Sequence, residues 1–149
     1  MGNNSVDQGL KKNEHYFENI IDYIGEPVFV KDEKSKILLV NDAFCCIFSL
    51  LKNDIIGKTL AEDVSPDEKE RFLKIDKQVL STGIENITEE TLTVRGGETK
   101  LISTKKTRYV DERGNKFLIG IIRDITARKN AEKQLAESEM TLRTTLDRV

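Results

Sequence analysis

The chain has 149 residues, 38% hydrophobic and 34% charged, with a net charge of -2. This length suits one domain with extensions, its core formed within roughly 100–120 residues, and the balanced charge leaves no basic excess to neutralise the phosphates of a nucleic acid. No apolar run approaches the ~20 residues that cross a bilayer, and the N-terminal MGNNSVDQGLKKNEHYFENI lacks the apolar segment of a secretory signal.

Met1-Gly2-Asn3 falls short of a myristoylation pattern because Val6 stands where Ser or Thr is required. Leu10, Phe17, Ile20, Ile21 and Ile24 recur at helical spacing and predict an amphipathic helix from about residue 10 to 24, ended by Gly25. After Glu26-Pro27, VFVKD (28–32) reads as a strand, Asp32 to Lys36 as a turn, and ILLV (37–40) as the second strand of a hairpin. Asn41 is a suitable N-cap for NDAFCCIF, where Phe44, Ile47 and Phe48 share a face. Asn53 or Asp54 opens a short turn closed by Gly57. Ser65 and Pro66 begin the clearest helix, with Ser as cap, Pro at N1, and Asp67 and Glu68 at the positive end of the dipole. Phe72, Ile75, Val79 and Leu80 form its apolar stripe, and Gly83 ends it.

From Ile87 the pattern changes to β. ITEETLTV meets ETKLISTKKTRYV across Arg95-Gly96-Gly97, which meets KFLIGIIRDI across Asp111 to Asn115, and each connection carries a glycine suited to positive φ. Two strands, then short helices, then three strands predict an α+β domain with an antiparallel sheet. In the last strand Phe117, Ile119 and Ile121 face one way and Leu118, Gly120 and Ile122 the other. A strand apolar on both faces is expected to be covered on both: by the short helices on one side, and by the N-terminal helix, a partner subunit or both on the other.

Reactive constellations are lacking. The single histidine, His15, is far in sequence from Cys45 and Cys46, and there is no phosphate loop or metal-ligand cluster, so the chain is not expected to be an enzyme. Adjacent cysteines rarely bridge each other, and NDAFCCIFSLL offers no basic neighbour to activate a thiol, so both read as small apolar fillers. Glu89-Glu90 and Asp111-Glu112 read as solvated carboxylates.

From about Gly25 to Thr126 the chain resembles the PAS sensory domain family. The resemblance rests on Pro27-Val28-Phe29-Val30, on Val40-Asn41-Asp42-Ala43-Phe44, on Ile56-Gly57-Lys58, and on Gly120 through Asp124-Ile125-Thr126, in that order and spacing. It implies a five-stranded antiparallel sheet curled around a ligand-sized cavity, with Asp-Ile-Thr as the junction to an output helix. It also implies a place upstream of a histidine kinase, a cyclic-dinucleotide enzyme or a transcription regulator. The family's flavin-binding light sensors carry a reactive cysteine just after the Gly-Lys/Arg step, where this chain has Thr59 and Leu60. Their polar flavin contacts fall near Leu92, Ile102 and Ile122, all apolar here. Haem-binding members supply a histidine from the long helix, which has none in residues 65–82. Photoreactive flavin and haem are therefore not expected, and no other cofactor is assigned.

What remains is an apolar cavity for a small apolar ligand, with Phe44, Phe48, Phe72, Ile75, Leu92, Ile102 and Gly120 as candidate lining. A side-chain-filled core fits these residues equally. Gly120 in mid-strand requires a close approach by a ligand, Phe72 or another core side chain.

Domain boundaries follow: a tail and flanking helix over 1–24, a PAS domain over 25–126 and a signalling helix over 127–149. Ala131, Leu135, Ser138, Leu142, Thr145 and Val149 form a weak coiled-coil seam. Offset by 125 residues, Glu14, Phe17, Ile21, Asp22 and Ile24 align with Glu139, Leu142, Leu146, Asp147 and Val149, so residues 137–149 resemble the opening helix of a second such domain. The chain is expected to be part of a longer cytoplasmic sensor, most simply a two-component histidine kinase. It would be homodimeric through its flanking helices, with Phe17, Ile20 and Ile24 at the interface and no membrane or nucleic-acid contact. Asp124, Thr126 and Arg128 are the expected transmission residues: Asp124 or Thr126 caps the helix, and Asp124 pairs with Arg128 four residues on.

Overall fold

The structure, a computed structural model, describes residues 15–59, 64–94 and 97–147. Leu10, Glu14, Leu60, Arg95, Gly96 and Val149, named above, lie outside these. The first helix, α1, is described over residues 15–22. It is followed by β1 (Val28–Lys31), β2 (Ile37–Val40), α2 (Asp42–Phe48), α3 (Lys52–Ile55), α4 (Pro66–Thr82), β3 (Asn86–Thr93), β4 (Thr99–Val110), β5 (Lys116–Asp124) and α5 (Thr126–Asp147).

The strands form one antiparallel sheet in the order β2-β1-β5-β4-β3. The doubly apolar strand, β5, therefore sits at its centre. Its longest partner is β4, paired from Ile102↔Asp124 to Val110↔Lys116. The turn between them has Gly114 at φ +85°, and the Asp111 carboxylate accepts from the backbone N–H groups of Arg113 and Asn115 at 2.9 and 2.8 Å. In the β3–β4 connection the described glycine, Gly97, does not adopt positive φ.

Period-2 alternation places Leu118, Gly120 and Ile122 on the inner face, beneath α2 to α4. There they join a core that includes Phe29, Ile37, Val40, Phe44, Phe48, Ile55, Val79, Leu80, Leu92 and Ile102. Burying a side chain of this kind contributes about 1.5–3 kcal/mol. On the outer face Phe117 and Ile119 are half-buried and Ile121 is exposed, so none of the described residues fully covers it.

Two local expectations are corrected. The turn after α2 is the short helix α3, opened by Leu51 and not by Asn53 or Asp54, with Gly57 following at φ +83°. Ser65 occupies the N-cap of α4 in extended geometry but makes no side-chain cap bond. Glu68, three residues on, turns to β3 instead, accepting from the Thr93 N–H at 2.7 Å and from the hydroxyls of Thr91 and Thr93 at 2.9 and 3.1 Å. Burial alone would raise the Glu68 carboxyl, but these donors hold it below its usual range.

Asn41 knits α1 to the barrel. Its Oδ1 accepts from the N–H groups of Val28 and Phe44 at 2.9 and 3.0 Å, while its Nδ2 faces the carbonyls of Ile21, Ile24 and Glu26 at 2.8–3.2 Å. The Asp22 carboxylate adds a second link, accepting from the Asp42 N–H and the Lys52 ammonium.

Candidate functional site

Between the inner sheet face and α2–α4 lies a cavity of about 50 Å³. One end is apolar, walled by Phe29, Phe44, Phe48, Phe72, Leu92, Ile102 and Ile122. The other carries Lys31, Glu90, Thr104 and Lys106, and all four side chains are buried. Alternation puts them there: Lys31 lies two residues from Phe29, Glu90 two from Leu92, and Thr104 and Lys106 two and four from Ile102.

Beneath the two lysines is Asp76 of α4, fully buried, four residues after Phe72 on the same helical face. Its Oδ2 accepts from Lys31 Nζ and its Oδ1 from Lys106 Nζ, each at 2.7 Å, and Lys106 Nζ also donates to the Phe72 carbonyl at 3.4 Å. The ammonium groups lie 5.3 and 5.6 Å from the ring centroids of Phe29 and Phe72. Burial would push the Asp76 carboxyl up, but the paired ammonium groups hold it below the usual carboxylate range. Burial lowers Lys31 against the pull of Asp76, and raises Glu90 against the pull of Lys106.

The expectation of an apolar cavity is thus corrected, as is the reading of Glu90 as solvated. At about 50 Å³ the space holds a few waters, at roughly 10–15 Å³ each, and lies far below the ~300–1,000 Å³ of a drug-sized ligand site. Leu92, Ile102 and Ile122, where the resemblance implies polar flavin contacts, are buried apolar residues on the cavity wall. Phe44, Phe48, Phe72, Leu92 and Ile102 line the cavity. Ile75 packs against the core without lining the cavity. Gly120 is not in the lining either; the ring of Phe29 lies over it, where a Cβ would overlap.

At the exit from the sheet, Thr126 binds β4 twice: its Oγ1 accepts from the Leu101 N–H at 3.0 Å and donates to the Leu101 carbonyl at 3.3 Å. Asp124 Oδ1 accepts from the Thr126 N–H at 3.0 Å, which holds the Asp124 carboxyl below its ordinary range. The expected Asp124–Arg128 pair does not form. Asp124 is still strand, so helical spacing does not relate it to Arg128. Arg128 and Lys129 reach Glu89 of β3 instead, each at 3.2 Å, and both lie 3.7 Å from Glu132.

Residues 15–125 match the family model described as the PAS fold. The chain belongs to the PAS family. It is 37% identical over 125 residues to the uncharacterised protein y4lL of Sinorhizobium fredii, covering 82% of this chain and 15% of the relative. It is 31% identical over 139 residues to the methanogenesis regulatory histidine kinase FilI of Methanothrix harundinacea, covering 93% of this chain and 16% of that one. The chain thus spans under a fifth of either relative. The solved PAS domain of Bordetella pertussis BvgS superposes with a TM-score of 0.66 at 22% identity, covering 87% of this chain and 98% of that one.

A PAS domain is a sensory, non-catalytic fold. Among the described residues no His/Cys/Asp/Glu group could hold a metal ion, and no helix is long and apolar enough to cross a membrane. The remaining candidates lie outside the PAS cavity. Phe17, Ile20 and Ile24 are exposed along and just after α1, and His15 is exposed beside Glu18. Contrary to the reading of both cysteines as buried fillers, Cys46 is exposed and Cys45 half-buried. Desolvation raises the Cys45 thiol despite a counter-pull from Lys52, a basic neighbour that lies just beyond the NDAFCCIFSLL window.

Proposed function

We propose that this PAS domain is a cytoplasmic sensing and dimerisation module that relays the state of its cavity through α5 to an output domain, a two-component histidine kinase. The junction carries the reading. β5 is the central strand of the sheet, contributes Ile122 to the cavity wall and leads at once into a 22-residue helix, α5. The first residue of α5 is pinned to β4 by its side chain, with the N–H of the preceding Ile125 donating to the Leu101 carbonyl. A displacement of β4 against β5 is therefore transmitted to the helix axis. Leu135, Leu142 and Leu146 are exposed along α5, available to a second copy. The extended likeness to a histidine kinase supports the choice of output.

The test is autophosphorylation of the full-length protein carrying Asp124→Ala. A change of about fivefold or more, the scale of an ordinary coupling energy, is expected, with the β signal in circular dichroism retained. Unchanged phosphorylation would remove the relay role, unfolded strands would make Asp124 a fold residue, and a wild type without autophosphorylation would remove the kinase output.

The small cavity favours a second reading, a ligand-free dimerisation module. Native against denaturing mass spectrometry of protein purified without added ligand separates the two. A retained small molecule rules out the second reading, and an empty core favours it.

A further inference from the structure

The charged end of the cavity has unused hydrogen-bonding capacity. An ammonium group has three N–H donors. Among the described residues Lys31 Nζ donates only to Asp76, and Lys106 Nζ to Asp76 and the Phe72 carbonyl. Three donors are therefore left on two buried cations that share one aspartate. A buried donor without an acceptor is costly, and the cavity is the space these two side chains line.

We propose that the cavity is a binding site for a small carboxylate, its oxygens on the ammonium groups of Lys31 and Lys106 and its short alkyl chain against Phe29, Phe44 and Leu92. This rests on the ligand-sensing reading above. With Glu90 protonated, charge selects an anion, since two ammonium groups then face the single Asp76 carboxylate. Volume selects a small one, because about 50 Å³ accommodates only a few heavy atoms. The aromatic and aliphatic walls favour an anion with a hydrocarbon end over a fully hydrated inorganic ion.

Glu90 makes the binding proton-linked. It shares the cavity with Lys106 and Thr104 of β4, with Arg71 and Asp76 of α4 near it, and with Lys31 of β1 and Lys69 of α4 also on the lining. Its ionised carboxylate competes with an incoming anion for the same ammonium groups, so binding takes up a proton and strengthens as pH falls toward the range in which Glu90 protonates.

The experiment is calorimetric titration of the chain with sodium propionate, using propionamide as the neutral isostere and sodium chloride as the salt control. Saturable propionate binding is expected, at least about tenfold tighter than propionamide and tighter at lower pH. Lys31→Met keeps the Lys106–Asp76 pair and should weaken propionate about tenfold or more. Glu90→Gln, which leaves both lysines in place, should bind propionate with the pH dependence gone. Equal binding of acid and amide, or propionate binding unchanged in both variants, overturns the proposal. So does the absence of saturable binding by wild type. The Asp124→Ala phosphorylation test involves no ligand, so a failure here leaves the relay reading standing on its own result.

Discussion

Both faces of the sheet depart from a simple division of apolar inside and polar outside. The inner face, against α4, buries Lys31, Glu90, Thr104 and Lys106, whereas the outer face presents Tyr109 and Ile121 to solvent, with Phe117 and Ile119 half-buried beside them. Charges survive inside only because Asp76 meets both ammonium groups at 2.7 Å; buried ions without such partners are driven to neutrality. The apolar outer face needs no such geometry and is energetically undemanding until something covers it. The inside is therefore sensitive to single atoms, and the outside to whether a second surface is present.

The inner half of that contrast breaks most severely at Asp76. Asp76→Ala strands two buried cations, and the cost expected in urea denaturation is about 3–5 kcal/mol. A loss under about 1 kcal/mol would mean the lysines are hydrated and the cluster is not a buried one. The pH dependence sharpens the test. Asp76 is depressed in the fold, so its stabilisation is complete above the unfolded carboxylate value near 4 and fades as pH falls through the lower folded value. The stability gap between wild type and Asp76→Asn should narrow as pH drops from 7 toward about 3. Glu90 is raised and has the opposite sign: its contribution is greatest in acid and declines as pH rises through its folded value.

Beneath Phe29, which walls the apolar end of the same cavity, Gly120 is required by its neighbour. A Cβ there would overlap the Phe29 ring, which also packs at 5.6 Å, centroid to centroid, against Phe44. Gly120→Ala should cost about 1–3 kcal/mol by overpacking, measured by thermal or urea unfolding. A neutral result would show that the ring can retreat into the cavity and that the space is adjustable.

The hairpins, the long helix and the Gly114 turn were legible in the sequence because each is written in a local pattern of alternation, capping or glycine placement. The same alternation places Lys31, Glu90 and Lys106 inside, since each is an even number of residues from a core apolar neighbour. Reading Glu90 as solvated let charge outweigh period. Lys31, Lys106 and Asp76 were not singled out, although Asp76 lies on the Phe72 face of α4. The joint was half legible. Asp124 and Thr126 stand out from the strand-to-helix switch, but Thr126 binds Leu101 and Arg128 binds Glu89, pairs 25 and 39 residues apart that no local rule connects.

The outer half of the contrast is tested through α1, since its exposed Ile20 and the nearby Ile24 provide apolar surface beyond what the sheet itself exposes. If a second copy covers this region, Ile20→Asp and Ile24→Asp place carboxylates in a desolvated contact and raise the dimer dissociation constant about tenfold or more, while unfolding free energy at low protein concentration changes by under about 0.5 kcal/mol. Sedimentation across a concentration series reads the first quantity and urea denaturation the second. The pairing of results carries the inference. A weakened dimer with an unchanged monomer assigns the apolar outside to association, in contrast to the buried charges, whose loss unfolds the monomer itself. If the unmodified chain remains monomeric at high concentration, the exposed isoleucines do not mark a self-association surface. Equal losses in both measurements would place Ile20 and Ile24 in the fold of the monomer, with Asn41 and Asp22 as the links that couple them to it.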